Sequence, residues 1–154
     1  MTGLRLDRDI VAQRLELLDR AVDKLSTHRG LSRADLEADL ELTWMVQHGL
    51  LTCIQAVLDV SSHLVAALGA PTPSDYRGSI ISLGRLGVVP PQLAERMAPM
   101  AGFRNVLVHE YAAVDLEIVS SAINERLGDF REFVRHVVTF LQERDESGSS
   151  GAAH

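Results

Sequence analysis

Apolar residues recur at alternating spacings of three and four along most of the chain, and this pattern predicts amphipathic α-helices. The first stripe predicts a helix over residues 5–27 and consists of Val11, Leu15, Leu18, Val22 and Leu25. A second stripe predicts a long helix over residues 33–68 and consists of Leu50, Ile54, Val57, Ser61, Leu64 and Leu68. Ser32 and Asp35 have the spacing of a capping box at its start. Gly49 marks either a weak point or a close contact with another helix.

Prolines and glycines divide the next third of the chain. The segment 69–73 ends the second helix, because neither of its prolines can continue one. Ser74 is the expected cap of a short third helix, and Pro91 is the expected first residue of the one after it. Pro99 and Gly102 predict a kink or a new helix start.

A last long helix follows Asp115, its expected cap. Its stripe consists of Leu116, Val119, Ile123, Leu127, Phe130, Val134, Val137 and Leu141. We found no strand-like alternation, internal repeat or glycine-rich phosphate loop, so the expected fold is an all-α antiparallel bundle of four to five helices. Residues 1–146 form the expected domain. Residues 147–154 are rich in Gly, Ser and Ala and form an expected disordered tail.

Length and cysteine content exclude several classes of protein. A chain of 154 residues is long enough for one domain with its own core. The single cysteine, Cys53, excludes an internal disulfide framework or a multi-cysteine zinc site, and its apolar neighbours indicate a buried side chain. The sequence shows neither a leader peptide nor an uninterrupted apolar run near 18 residues, so we expect a cytoplasmic protein without a membrane span.

The charge favours a local phosphate site over a broad nucleic-acid surface. A net charge of −6 opposes groove binding, which depends on many cations that neutralise phosphates. The middle third nevertheless carries Arg77, Arg85, Arg96 and Arg104, enough for a phosphate pocket on an acidic body. The acidic balance also suits docking to a basic partner surface.

The segment from Arg104 to Tyr111 carries the candidate chemistry: it reads Arg-Asn-Val-Leu-Val-His-Glu-Tyr. Arginine is permanently charged and matches phosphate oxygens, while the imidazole of His109 titrates near neutral pH and can move a proton. Asn105 can position a substrate. A plainer interpretation is a surface arginine, a histidine at a helix end and an ordinary half-buried tyrosine.

Helical geometry adds a constraint to this segment. Arg104 and His109 are five residues apart, which places them roughly 140° apart around one helix. Arg104 and His109 of one helix are therefore poorly placed to bind the same small group together. A second copy could bring the two side chains together, and we accordingly predict a homodimer with the site at its interface.

The segment resembles the R-x(4-6)-H motif of HEPN ribonucleases, and a tyrosine two residues after the histidine is similar to the HepT-like toxins. The resemblance covers roughly residues 8–143 and includes the helix around Asp59 and His63, where the family has a polar residue facing the site. It implies a HEPN-like dimer and a metal-independent endoribonuclease with Arg104 and His109 as catalytic residues. It further implies a minimal nucleotidyltransferase as antitoxin, which transfers adenylate to Tyr111 and silences the toxin.

Asp59 and His63, four residues apart on a helix, are the expected supporting residues of the site. They could equally form a solvated or buried pair without a functional role. Neither a metal nor another cofactor is expected, because the histidines lack further ligands at suitable spacing. Two other functions stay open: a non-catalytic helical adaptor or substrate-binding subunit of a nucleotidyltransferase, and a structural dimerisation module.

Overall fold

The computed structural model describes residues 5–109 and 114–152, and every regular element within these ranges is helical. The helices are α1 (Arg8–Ser26), α2 (Arg33–Ala38), α3 (Leu40–Ala67), α4 (Tyr76–Arg85), α5 (Pro91–Met97), α6 (Met100–His109), α7 (Leu116–Ser121) and α8 (Leu127–Ala152). A π-helical turn, Ala122–Arg126, joins α7 to α8. The predicted all-α bundle is confirmed.

The core lies around α3, which packs against α1, α4, α6 and α8. All five apolar residues of the predicted stripe on α1 are buried. Burial of a large aliphatic side chain contributes about 1.5–3 kcal/mol, so these five side chains contribute strongly to the packing of α1 against α3. Gly49 allows their close approach, because a Cβ there would lie 2.8 Å from Leu25 Cδ2.

The single long helix predicted over residues 33–68 is in fact two helices. Asp39 adopts an extended conformation (φ −137°, ψ 97°), and its side chain accepts a hydrogen bond from Leu42 N. The chain is therefore interrupted at Asp39, whereas α3 runs through Gly49 without a break. The predicted capping box of Ser32 and Asp35 is present at the start of α2.

Most of the later helix boundaries agree with the sequence. Pro91 is the first residue of α5, and α6 begins afresh at Met100. Asp115 caps α7 by accepting a hydrogen bond from Glu117 N. The cap of α4 is Asp75 instead of the predicted Ser74, and its carboxylate accepts from Gly78 N at 2.8 Å.

Two features of the C-terminal region differ from the sequence pattern. The π-helical turn has no counterpart in the predicted stripe, which continued with α-helical spacing. Helix α8 extends to Ala152, beyond the point at which a tail was expected. The domain boundary after residue 146 stays a prediction.

Helix α3 is long and apolar enough to cross a membrane by length and composition, with a mean hydropathy of 1.5. Polar residues interrupt its apolar ones, so the sequence contains no uninterrupted apolar run there. More than half (56%) of the 18-residue window of α3 that has this hydropathy is buried inside the bundle. Core packing accounts for its composition.

Candidate functional site

Helix α6 carries the motif and ends at His109. Leu107 is buried and anchors the helix to the core. Arg104 is half-buried, whereas Asn105 and His109 are exposed. Tyr111 lies outside the described residues.

Three neighbours hold the guanidinium of Arg104. Its Nε donates to Gln55 Oε1 at 3.2 Å, and one terminal nitrogen donates to Asn105 Oδ1 at 3.0 Å. Its Cζ lies 5.4 Å from the centroid of the Tyr76 ring, within the range of a cation–π interaction. A side chain held from α3, α4 and α6 loses little further entropy when it binds an anion.

A polar chain continues from Arg104 across α3 to α1. Gln55 Nε2 donates to Asp59 Oδ1 at 2.9 Å, and the other oxygen of Asp59 lies 3.5 Å from Arg14 Nε. Because the Asp59 carboxylate accepts from the amide nitrogen of Gln55, the amide oxygen of Gln55 is directed at Arg104. We refer to Arg14, Asp59, Gln55 and Arg104 as the polar chain.

The predicted pairing of Asp59 with His63 is wrong, because each side chain has a different partner. Asp59 belongs to the polar chain, in a position from which it supports Arg104 through Gln55. His63 Nε2 accepts a hydrogen bond from Asp7 N at 2.9 Å, at the start of α1. The structure therefore brings Asp59, Arg104 and Asn105 together and places His63 at another contact.

Sequence reasoning did not single out Gln55 or Arg14. Gln55 lies one helical turn before Asp59, which is the local signal that could have revealed it. Its partner Arg104 is 49 positions away, so the contact itself depends on the packing of α3 against α6.

The site belongs to the positively charged part of an acidic chain. Residues 76–109 contain four arginines and a single carboxylate, that of Glu95. Arg96 is engaged elsewhere, with Asp129 at 3.3 Å and Glu132 at 2.9 Å. Arg77, Arg85 and Arg104 supply the positive potential near α4 and α6, which suits a phosphate group.

Cys53 takes no part in this chemistry. Its side chain is fully buried, and burial raises the pKa of the thiol to about 12. The thiolate is the reactive form of cysteine, and the raised pKa keeps this thiol protonated. Cys53 therefore serves only to pack the core, in agreement with its apolar neighbours in the sequence.

Comparison with known proteins identifies a family and two similar nucleases. The family model described as ribonuclease HepT-like matches residues 13–137. The chain is 31% identical to the tRNA nuclease HepT of Aphanizomenon flos-aquae over 137 residues, covering 89% of this chain and 93% of the relative. It is 25% identical to the mRNA nuclease HepT of Shewanella oneidensis over 126 residues, covering 82% of this chain and 94% of the relative.

A solved structure shares the fold. It contains the tri-AMPylated HEPN toxin of Shewanella oneidensis in complex with the MNT antitoxin. The TM-score is 0.76 at 24% sequence identity, with 85% of this chain and 98% of that chain covered.

Proposed function

Because the chain belongs to the HepT-like ribonuclease family, we propose that it is a ribonuclease toxin that cleaves RNA without a metal ion, at a site built on Arg104 and His109. One observation carries this proposal: hydrogen bonds fix the guanidinium of Arg104, and the exposed His109 lies on the same helix. Two named nucleases cover nearly the whole chain and support the same activity.

The chemistry follows from the residues. The 2′-hydroxyl of RNA attacks the adjacent phosphorus, and the bond from phosphorus to the 5′-oxygen breaks. The products are a 2′,3′-cyclic phosphate and a 5′-hydroxyl. Arg104 stabilises the negative charge that builds up on the phosphoryl oxygens, Asn105 orients the phosphate, and His109 moves the proton.

A homodimer resolves the geometry of the motif. Arg104 and His109 are roughly 140° apart around α6, so the Arg104 of one protomer acts with the His109 of its partner. A symmetric pair contains two such composite sites, each with one guanidinium and one imidazole, and in each the imidazole takes the 2′-proton and returns a proton to the 5′-oxygen. The partner interface is isologous in this arrangement.

The antitoxin in this proposal is a minimal nucleotidyltransferase that adenylates Tyr111 in the cytoplasm. The related toxin solved with an MNT antitoxin is itself AMPylated, which supports this mode of control. An adenylate two residues after His109 would place an anion where the RNA phosphate binds. Intact-mass measurement after incubation with ATP, magnesium and the enzyme should show AMP on wild type and Tyr76→Phe, but not on Tyr111→Phe; equal gain on all three would refute Tyr111 as the target.

The ribonuclease activity is tested on total RNA in excess chelator. Arg104→Ala and His109→Ala should each reduce cleavage by about 10²–10⁴-fold, the range for loss of an electrostatic or acid–base contribution. Arg20→Ala and His136→Ala, which remove the same side-chain types from α1 and α8, should keep wild-type activity. Undiminished cleavage by the two motif variants would place the activity elsewhere.

A second candidate function is an adaptor that docks on a nucleotidyltransferase without cutting RNA. The acidic surface of the chain is the observation that favours it. In this case the wild type would bind the transferase and leave the RNA uncut. Arg104→Ala and His109→Ala would give the same result as the wild type in the cleavage assay.

A further inference from the structure

Tyr76 borders both Arg104 and a cavity between α3 and the start of α4. Its ring contacts the guanidinium at 5.4 Å, and its side chain also lines the cavity, which has a volume of about 300 Å³. Tyr76 as a whole is 39% exposed, so a ligand can reach part of its side chain. Whatever occupies this cavity lies next to the proposed phosphate site.

The lining of the cavity suits a neutral, flat group. Its walls combine an aromatic ring and apolar side chains with the hydroxyl groups of Ser62, Thr72, Ser74 and Ser79. Asp75 supplies a carboxylate, and none of the described lining residues carries a positive charge. A phosphate would be repelled by Asp75 here. A nucleobase would find a stacking surface together with hydroxyls that can donate to or accept from its edge.

Positive charge lies on both sides of this cavity. Arg104 is on one side, beyond Tyr76. Arg77 and Arg85 line a neighbouring groove, which shares the segment 72–75 with the cavity. Arginines flanking a cavity that has an aromatic wall and no positive charge of its own match the alternation of phosphate and base along a nucleic-acid strand.

We propose that this cavity binds one nucleobase of the RNA substrate, stacked on Tyr76, while Arg104 holds a neighbouring phosphate. The inference rests on the proposed ribonuclease function and narrows its substrate. A base within a duplex has both faces covered by its neighbours and cannot enter. The substrate is therefore RNA with an unpaired nucleotide at this position, in a loop, a bulge or a single-stranded end.

The test measures binding, separately from cleavage. Protein carrying His109→Ala is titrated at fixed salt with a labelled single-stranded RNA and with a ribose-phosphate chain of equal length that lacks bases. Adding Tyr76→Ala should weaken binding of the RNA roughly tenfold, the usual contribution of one stacked base, and weaken binding of the base-free chain much less, since that chain loses only the support that Tyr76 gives to Arg104. Arg104→Ala should weaken binding of both chains.

Two further variants separate stacking from the support that Tyr76 gives to Arg104. Tyr76→Phe retains the ring and should keep most of the binding. Ala66→Phe fills the cavity without removing Tyr76 or Arg104, and it should reproduce the loss seen with Tyr76→Ala. Circular dichroism checks that each variant is folded.

Equal weakening of both chains by Tyr76→Ala, or no effect of Ala66→Phe on the RNA, would overturn the nucleobase site. Neither result depends on turnover. A wild-type protein that binds unpaired bases through Tyr76 but never cleaves RNA would instead refute the proposed ribonuclease function and leave the base site intact.

Discussion

At the scale of single residues, the position of Arg104 depends on an amide that no local motif contains. Gln55 accepts from Arg104 Nε and donates to Asp59, so it fixes the guanidinium relative to α3. An arginine that becomes immobilised only on binding loses side-chain entropy at that step, and this loss weakens its binding of the phosphate. Gln55 is in this sense a positioning residue.

Replacement of Gln55 by leucine should lower kcat by roughly tenfold, because the guanidinium loses its acceptor and its fixed orientation. Gln55→Glu keeps an acceptor for Arg104 Nε but cannot donate to Asp59, and it should raise KM, since a carboxylate beside Arg104 competes with the RNA phosphate for its charge. Steady-state cleavage of a defined RNA measures both parameters. Thr52→Val, one turn earlier on α3, serves as the control and should leave both unchanged; equal kinetics for all four proteins would show that Gln55 has no positioning role.

The residues of the site differ in how far a sequence can reveal them. Arg104, Asn105 and His109 lie within six consecutive positions, so their chemistry is visible locally. Gln55 and Tyr76 join them only after α3 and α4 have packed against α6. The expected contact between Asp59 and His63 is absent because other partners engage both side chains: Asp59 contacts Gln55 on the same helix and Arg14 on α1, and His63 accepts from Asp7 N at the start of α1.

At the scale of helices, apolar spacing predicts which segments are helical but does not always locate their ends. The stripes on α1, α3 and α8 were readable because their buried positions recur regularly. The interruption at Asp39 was missed, since its capping interaction with Leu42 competes with continued helix and the apolar pattern tolerates both. The π-helical turn at Ala122–Arg126 inserts one residue into a pattern that otherwise reads as α-helix.

Gly49 offers a test of helix packing. Gly49→Ala should destabilise the protein by up to about 2 kcal/mol, because the new methyl group meets the buried Leu25 at the contact between α1 and α3, and this overpacking outweighs the gain in helix propensity. Gly128→Ala, at an exposed helical position with open space around it, should stabilise by about 0.5–1 kcal/mol through helix propensity alone. Urea unfolding monitored by circular dichroism gives both values. Stabilisation by both changes would mean that the two helices are not in tight contact at Gly49.

At the scale of the whole molecule, the proposed site needs a surface on which two copies meet. A shallow cavity beside the polar chain is lined by Leu17 and Leu51 together with Arg14, Gln55 and Asp59. Apolar side chains thus surround the groups that position Arg104. A dimer formed on this surface would bury Leu17, which is 39% exposed in the single chain.

Leu17→Glu should therefore dissociate the dimer and reduce RNA cleavage, because it replaces an apolar contact with a carboxylate that loses its hydration when the interface buries it. Val138→Glu is a matched control, since Val138 on α8 is 38% exposed. Light scattering at micromolar concentration should give a dimer for wild type and Val138→Glu and a monomer for Leu17→Glu. A monomeric wild type would count against the shared site.

Mixing two inactive variants tests the shared site directly. If Arg104 of one protomer acts with His109 of its partner, a pair formed by Arg104→Ala and His109→Ala contains one intact composite site and one that lacks both groups. Random exchange makes about half of the pairs mixed, so activity should recover to about one quarter of wild type. Each variant alone should stay inactive, and adding Leu17→Glu to both should abolish the recovery, because no pair can form. Native mass spectrometry shows whether mixed dimers form. If they form and the mixture still does not recover activity, Arg104 and His109 must come from the same chain. The roughly 140° between them would then be bridged within one protomer.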